Sequence, residues 1–412
     1  MKKKIFMFIC IILSIIFIVF YKTSKRNSDT GVLKGNLTII AEGENYNYLL
    51  NLCEKFKKNN PKVNITIKEM EEDYFKKGFE DSLKKPNNNA DIVIMPSRYV
   101  NYFGSKYPLS FSEVNEFISS YRDSIRKERI DQVTIGDKIM AFPFYDEPVV
   151  LYYNKLLLDS NNLKIEDIST WNHILSLKNS MNNNILAYTG EDYFEFYNIL
   201  INQLKVDKSK KDNHVNEIKA MEVLKEIFKD NRASILNEDE ATKLLINGDI
   251  PFIIGNNKTL NEIYINVPSN KKVELGVSKI PSFEPGGNRD VLSSGYNFAI
   301  MKESKNKKLA ETFIEFTLLE KYSILEATNS YNIFLNYNKY QDESIYNTSY
   351  SFINERKPLR ILDNINRNGT YLKININDLE NKDKINEDIT KIINSENSVE
   401  KDMEDLMGKY NK

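Results

Sequence analysis

The sequence predicts an α/β fold, and two observations carry the prediction. Short runs rich in Ile, Val and Leu alternate with longer segments in which apolar residues recur every three or four positions. In addition, Ala90–Met95 is almost purely apolar, which is typical of a strand that is covered on both faces. Strands that alternate with helices in this way build a parallel sheet with crossover helices. We therefore expect the chain to begin as a doubly wound α/β domain.

The elements follow one another along the chain. Strands or short apolar runs lie at Leu37–Ile40, Val63–Ile67, Ala90–Met95, Gly136–Pro143, Val149–Tyr153, Ile250–Ile254, Leu275–Ile280 and Asn297–Met301. Helical spacing of apolar residues marks Leu49–Phe56, Tyr74–Lys85, Trp171–Met181, Tyr193–Leu204, Ile218–Phe228, Leu309–Phe316 and Ile385–Met407. Ser304 is expected to cap the helix that contains Leu309. Two irregular segments are expected, a polar kink at Phe144–Pro148 and a connector at Pro281–Gly287 with two prolines and two glycines.

Residues 1–34 concentrate positive charge around one apolar segment. The whole chain has 57 basic and 58 acidic side chains, a balance that gives no indication of nucleic-acid binding. Seven of the basic residues and one acidic residue lie in residues 1–34, which leaves a net charge of about −7 for the rest. Ile5–Tyr21 has three positive residues on each side, and as a helix it would be about 25 Å long, at the short end for a bilayer span.

We expect residues 1–21 to be an uncleaved transmembrane anchor and residues 22–35 a polar tether, and the equal charges on the two sides do not orient the anchor by themselves. A cleaved signal peptide would show a small-x-small site after the apolar stretch, and Phe20-Tyr21-Lys22 stands there instead. A cleaved or lipidated export signal stays open as the alternative, with Cys10 as the candidate lipid acceptor.

Few residues of the chain suit metal binding or covalent catalysis. Cys10 and Cys53 are the two cysteines, and His173 and His214 are the two histidines. Their spacing matches no zinc site and predicts no internal disulfide. The sequence also lacks a phosphate-binding loop and a nucleophile elbow. We therefore expect a protein without a cofactor and without a catalytic residue.

Five stretches of the chain, in order and at matching spacing, resemble one family. The stretches are Ala90–Ser97, Gly136–Pro143, Val150–Lys155, Thr170–His173, and Ser294–Ser304 with Ala310–Leu318. Together they resemble the extracellular solute-binding proteins of bacterial ABC importers, in the family that includes maltodextrin-binding proteins. The pair GDKIMAFP and VLYYNK is the most specific part of this resemblance.

The resemblance implies a two-lobed α/β fold in which hinge strands join the lobes and a solute binds in the cleft between them. It implies a first lobe of residues 36–144 and 283–330 and a second lobe of residues 145–282 and 331–412. The chain would cross between lobes at Phe144–Pro148 and Pro281–Gly287, because hinges are element ends that absorb backbone changes on closure.

A sugar site needs carboxylates and amides that form hydrogen bonds with the sugar hydroxyls, and an arginine that donates hydrogen bonds to them. It also needs an aromatic ring that stacks on the apolar face of the sugar. In open α/β sheets ligands bind beyond the carboxyl ends of the strands. The resemblance and these loops give the candidates Glu42, Glu44, Asn45, Ser97, Arg98, Tyr145, Asp146, Glu147, Glu191, Tyr193, Asn256 and Tyr296. Several have a structural alternative: Arg98 could pair with a lobe carboxylate, Tyr145–Glu147 could cap the hinge, and Glu191 and Tyr193 could belong to a helix N-terminus. Asn256 and Tyr296 could be ordinary loop residues.

The expected function is capture of a small solute, above all a carbohydrate, and its delivery to the permease subunits of an ABC importer. The protein is expected to be a monomer on the outer face of the cell membrane. Relatives often have Gly-Pro-Trp where this chain has Asn256-Asn257 after Gly255, which favours a shorter or more polar ligand. A polyamine or an anionic solute, and a role as the partner of a membrane sensor, stay open. A glycosidase, which needs two carboxylates about 5–10 Å apart, is the least supported interpretation.

Overall fold

The computed structural model describes residues 32–70, 75–84, 90–177, 184–204, 214–268, 272–331, 350–353, 357–371, 374 and 376–410. The strands are β1 (Lys34–Glu42), β2 (Lys62–Met70), β3 (Ile92–Pro96), β4 (Thr134–Ile135), β5 (Lys138–Ile139), β6 (Phe142–Pro148), β7 (Val150–Asn154), β8 (Leu186–Tyr188), β9 (Ala233–Ile235), β10 (Phe252–Gly255), β11 (Leu275–Lys279) and β12 (Leu292–Ile300).

The helices up to the middle of the chain are α1 (Gly43–Asn59), α2 (Phe75–Leu83), α3 (Ser97–Lys106), α4 (Asn115–Ser119), α5 (Lys127–Gln132), α6 (Lys155–Ser160), α7 (Trp171–Leu177), α8 (Tyr193–Gln203) and α9 (His214–Phe228). The helices that follow are α10 (Glu238–Asn247), α11 (Asn257–Asn266), α12 (Lys307–Leu319), α13 (Lys321–Tyr331), α14 (Pro358–Asn368), α15 (Ile376–Glu380), α16 (Lys382–Ile393) and α17 (Val399–Tyr410). The alternation of strands and helices confirms the predicted α/β class.

The first lobe is built on a five-stranded sheet of order β2-β1-β3-β12-β6. The strands β1, β2 and β3 are parallel, and β12 runs antiparallel to both of its neighbours, β3 and β6. Every residue of β3 is buried, as its apolar sequence predicts for a strand covered on both faces. One hydrophobic core cluster joins this sheet to α1, α2, α3 and α12.

The second lobe is built on a five-stranded sheet of order β11-β7-β10-β8-β9. Here β8 pairs in parallel with β9 and β10, and β7 pairs antiparallel with β10 and β11. One hydrophobic cluster joins this sheet to α7, α8, α9, α16 and α17, and another joins it to α10, α11 and α14. The sheet is therefore buried between two layers of helices, which is the doubly wound arrangement.

The crossings between the two sheets differ from the expected positions in one respect. The predicted polar kink at Phe144–Pro148 is wrong in that these residues belong to β6, a fully buried strand of the first sheet, although the pairing of β6 with β12 shifts register at Phe144. Val149 then separates β6 from β7 of the second sheet. The return crossing lies between Lys279 and Leu292 and contains the predicted connector. The residue bounds predicted for the two lobes stay a prediction.

The C-terminal part of the chain contacts both lobes. Leu379 of α15 packs in the core of the first lobe, and its carbonyl oxygen accepts a hydrogen bond from Lys76 Nζ at 2.8 Å. Ile385 and Ile389 of α16 pack in the second lobe. The chain therefore passes once more from the first lobe to the second between Glu380 and Lys382.

Two further predictions concern the chain ends and a helix cap. The predicted anchor and most of the tether, residues 1–31, lie outside the described residues. Within the described part of the chain, no helix is both long and apolar enough to span a membrane. The cap predicted at Ser304 is wrong: α12 begins at Lys307 with Asn306 in the N-cap position, and the Ser304 hydroxyl donates to Asp91 at 2.5 Å.

Candidate functional site

The cleft cavity lies between the two lobes and has a volume of about 540 Å³. The first lobe contributes Gly43, Arg98, Glu147 and Tyr296. The second lobe contributes Thr189, Gly190, Glu191, Glu195, Ile235, Leu236, Asn237, Glu238, Glu240, Asn256, Lys258 and Glu262. Many of these residues follow directly on the carboxyl ends of β3, β8, β9 and β10, where open α/β sheets bind their ligands.

Five of the predicted site residues line this cavity: Arg98, Glu147, Glu191, Asn256 and Tyr296. Two of them also have a clear structural role. Asn256 is the N-cap of α11, and its side chain accepts from the backbone N–H of Lys258 at 2.8 Å. The Glu147 carboxylate is 3.8 Å from Lys258 Nζ, so it faces a cation across the cavity wall.

Three other predicted residues are buried behind Tyr296 and hold its ring. Tyr145 stacks on Tyr296 with ring centroids 5.0 Å apart, and the Tyr145 hydroxyl donates to Asn45 Oδ1 at 3.0 Å. The Tyr296 hydroxyl donates to the Glu42 carboxylate in a short contact. Glu42, Asn45 and Tyr145 are all nearly inaccessible to solvent. They therefore fix the one aromatic ring found among the described residues that line the cavity.

Asp146 and Ser97 belong to a buried polar network next to the hinge strands. Asp146 Oδ1 is 2.6 Å from Nε of Arg129, and neither side chain is exposed. Arg129 also donates to Ser97 Oγ at 2.7 Å, to the Tyr296 carbonyl oxygen at 2.9 Å and to Asn297 Oδ1 at 2.9 Å. Neither Ser97 nor Asp146 lines the cleft cavity, so the network fixes the strand that carries Tyr296.

Arg98, Glu191 and Lys382 form a three-charge cluster at the edge of the cavity. Arg98 Nη2 is 2.5 Å from Glu191 Oε1, and Lys382 contacts the other oxygen of the same carboxylate. Burial opposes ionisation of Glu191, but the positive charges of Arg98 and Lys382 outweigh it and lower the pKa to about 2. Glu191 is therefore ionised at every physiological pH.

The prediction for Tyr193 is not matched by its position in the structure. Its ring is partly buried and packs edge-on against Phe228 of the second-lobe core, with ring centroids 4.9 Å apart, and it does not line the cleft cavity. Glu44 lies in the first turn of α1, and its side chain is not among the described ones. Of the remaining ten candidates, five line the cavity, three hold the Tyr296 ring directly or through Tyr145, and Ser97 and Asp146 contact Arg129.

Sequence reasoning missed Lys258, Lys382 and Arg129. A signal existed for two of them: Lys258 and Lys382 stand in the first turns of α11 and α16, where a positive charge opposes the helix dipole. A residue placed against this preference is often held there by another interaction. Arg129 lies in the six-residue helix α5 among Lys127, Glu128 and Asp131, so its place in the sequence does not distinguish it from its charged neighbours.

The lining is rich in hydrogen-bond acceptors. Carboxylates dominate the wall of the second lobe, with Glu195, Glu238, Glu240 and Glu262 beside the amide of Asn237. Carboxylate and amide oxygens accept the hydrogen bonds that sugar hydroxyls donate. Among the described residues, no group of three His, Cys, Asp or Glu side chains is arranged to hold a metal ion.

Comparison with known proteins identifies the family. Residues 41–323 match the family described as bacterial extracellular solute-binding protein. The chain belongs to this family. The match ends before α14–α17, so Lys382 comes from a part of this solute-binding protein that the family description does not cover.

Individual relatives agree with this assignment. The chain is similar to the maltodextrin-binding protein MdxE of Bacillus subtilis, with 22% identity over 331 residues that cover 74% of this chain and 75% of the relative. It shares its fold with the maltose-bound MalE3 of T. maritima at a TM-score of 0.71 and 15% identity, over 91% of this chain and 99% of the other. It also shares its fold with the GacH receptor of Streptomyces glaucescens, at a TM-score of 0.72 and 15% identity, over 92% of this chain and 98% of the other. The solute-binding protein thus has the two-lobed fold that the sequence predicts.

Proposed function

We propose that this solute-binding protein captures a carbohydrate in the cleft cavity and delivers it to the permease of an ABC importer. The observation that carries the proposal is a cavity of about 540 Å³ between two lobes, lined by carboxylates and amides at the strand ends. This volume is in the usual range for small-molecule sites. The relatives support it as well, because one is named for maltodextrin, one structure is described as maltose-bound, and the GacH receptor is described both unliganded and in complex with acarbose.

In the proposed complex each group of the cavity has a distinct task. Glu147 and Glu195 accept hydrogen bonds from sugar hydroxyls, and Lys258 donates to a hydroxyl oxygen. Tyr296 is the one described aromatic residue of the cavity lining, and since the residue is 2% exposed, the part of its ring that a sugar can contact is small. The ring has a cation beside it, since Lys258 Nζ lies 5.9 Å from the ring centroid. A single ring suits a short saccharide better than a long stacked chain.

We also propose that residues 1–21 hold the protein on the outer face of the cell membrane, where the solute arrives and the permease lies. The support is the apolar segment Ile5–Tyr21 between two sets of three positive residues. A mature protein whose first residue lies between positions 22 and 35 would contradict this anchor. N-terminal sequencing of the membrane fraction decides the point.

Thermal unfolding of the full chain against a panel of solutes tests the proposed cargo. The panel contains mono- and oligosaccharides, sugar acids and polyamines, in a detergent without a sugar headgroup. A ligand at 100 times its Kd adds about 2.7 kcal/mol to the free energy of unfolding. We expect a dose-dependent rise of Tm with one class of neutral sugar.

A matched pair of variants places the effect in the cavity. Glu147→Gln should reduce the sugar-dependent rise of Tm, because the buried carboxylate loses its charge next to the bound hydroxyls. Glu128→Gln changes a side chain that is 63% exposed and should leave the rise unchanged. A rise of Tm with polyamines or sugar acids alone would contradict a neutral carbohydrate cargo, and equal responses of the two variants would contradict the cavity.

A further inference from the structure

The three-charge cluster joins the two lobes across the mouth of the cleft. Arg98 stands at the start of α3 in the first lobe, and Glu191 lies in the loop between β8 and α8 in the second lobe. Their contact of 2.5 Å therefore crosses from one lobe to the other. The exposed fractions of the two side chains are 15% and 31%, so the pair is partly shielded and stronger than a fully exposed pair.

Lys382 contacts the same carboxylate from within the second lobe. It begins α16, and it also lies 3.2 Å from Asp192, the N-cap of α8. The two helices are joined directly, because the backbone N–H of Phe194 donates to Asn386 Oδ1 at 3.2 Å. Lys382 and Glu191 are thus part of one lobe.

The two cations differ in what happens to them when the cleft opens. Separation of the lobes removes Arg98 from Glu191, whereas Lys382 stays with Glu191. The carboxylate is then never left without a cation, which reduces the cost of opening. Closing, in turn, brings the positive charges of Arg98 and Lys382 toward each other around one carboxylate. Arg98 therefore favours the closed cleft, and Lys382 favours the open one.

We propose that Arg98, Glu191 and Lys382 form an electrostatic latch that sets how often the cleft is closed before a solute arrives. Arg98 and Lys382 act on affinity as positioning residues, since they shift the equilibrium between open and closed lobes. The apparent affinity for the solute scales with the population of the binding-competent state. This inference rests on the proposed function for its biological meaning, but the latch itself can be measured without any solute.

The experiment measures the distance between the lobes in the full chain without solute, by pulsed electron paramagnetic resonance. Spin labels are placed at Leu109→Cys in the first lobe and Val215→Cys in the second, at side chains that are 79% and 73% exposed. Cys10→Ser removes one native thiol. Cys53 can stay, because it is buried and burial raises its thiol pKa to about 12, which makes it slow to react.

We expect two opposite shifts in the ratio of open to closed molecules. Arg98→Gln should raise this ratio at least threefold, and Lys382→Gln should lower it at least twofold. Lys382→Arg keeps the charge and should restore the distance distribution of the parent protein. Lys127→Gln is the matched control, because Lys127 is also 2.5 Å from its carboxylate partner, Asp131, but within one helix. It should change nothing.

The latch would be overturned if Arg98→Gln and Lys382→Gln shifted the ratio of open to closed molecules in the same direction. It would also be overturned if neither shift were larger than that of Lys127→Gln. The outcome is independent of the cargo. If the protein binds no sugar but shows the two opposite shifts, the latch is supported and the proposed function is contradicted. If it binds sugar and shows no shift, the proposed function is supported and the latch is contradicted.

Discussion

Two arginine–carboxylate pairs of nearly equal length have different roles in this molecule. Arg129 and Asp146 are 2.6 Å apart and fully buried, and both belong to the first lobe. Arg98 and Glu191 are 2.5 Å apart, partly exposed, and belong to different lobes. The distance between the charged atoms does not distinguish the pairs. Their location does, because only the second pair must break when the lobes separate.

The two arginines also differ in how many other hydrogen-bond partners surround them. Arg129 has further acceptors in Ser97, Gln132, Asn297 and the Tyr296 carbonyl oxygen, which compensate the loss of solvation. Rearrangement would break all of these bonds together. Arg98 has Glu191 and the ring of Tyr99, 5.1 Å away, as its described contacts. A pair with few other bonds can separate at a modest cost.

The largest effect is expected from breaking the buried pair. Asp146→Ala leaves the Arg129 guanidinium without its carboxylate in a region that water does not reach, which costs about 3–5 kcal/mol of stability. Chemical unfolding with circular dichroism measures this loss. A loss below about 1 kcal/mol, the value of a surface pair, would mean that the two pairs do not differ in the way described here.

A glycine beside the buried pair gives a second, smaller test. A Cβ on Gly295 would lie 2.6 Å from Arg129 Cζ and 2.7 Å from Asp146 Oδ1, so Gly295→Ala should cost about 1–3 kcal/mol through overpacking. Gly408 of α17 is the control, because a Cβ added there would meet no atom within 4 Å. Gly408→Ala should be neutral or stabilising in the same unfolding experiment. Equal losses of stability in the two variants would contradict overpacking at Gly295 as the cause.

The smallest effect concerns pH and the pair between the lobes. The pKa of Glu191 is lowered from 4.5 to about 2, so its stabilising contribution is complete above pH 4.5 and is lost as the pH falls toward 2. The groups that act on it are Arg98, Lys382 and Lys258, with Glu195 as an acidic neighbour whose own pKa is raised by burial and by Glu191.

The measurement compares the unfolding free energy of the parent protein with that of Glu191→Gln between pH 7 and pH 2. The difference should be constant from pH 7 to about pH 5 and should shrink below that. A difference that shrinks already near pH 6 would show that Arg98 and Lys382 do not hold the carboxylate ionised.

The sequence predicted the fold and the loops of the cleft, because both depend on local patterns. Apolar periodicity marks most strands and helices, and the cavity lies at the ends of strands that this periodicity locates. The polar residues Asp146 and Glu147 suggested a kink. Asp146 can nevertheless be buried in a strand because its charge is paired with that of Arg129. Tyr193 follows a cleft loop, but the rotation of α8 directs its ring to Phe228.

The pairings across the molecule could not be predicted from one sequence. Arg98 and Glu191 are 93 positions apart, and Lys382 is 191 positions from Glu191. Such contacts depend on how the lobes are placed, which periodicity does not encode. The sequence does contain one local indication of unusual cations. Arg98, Lys258 and Lys382 all stand in the first turn of a helix, where the dipole disfavours a cation.

Hydrogen–deuterium exchange of the full chain, with and without the sugar that raises Tm most, tests the central claim most directly. If the solute binds between the lobes, exchange should slow on both walls of the cleft cavity. The expected segments are residues 189–191 and 256–258 in the second lobe and residues 294–298 in the first. Protection confined to one lobe, or protection outside the segments that line the cavity, would contradict capture of the solute between the lobes.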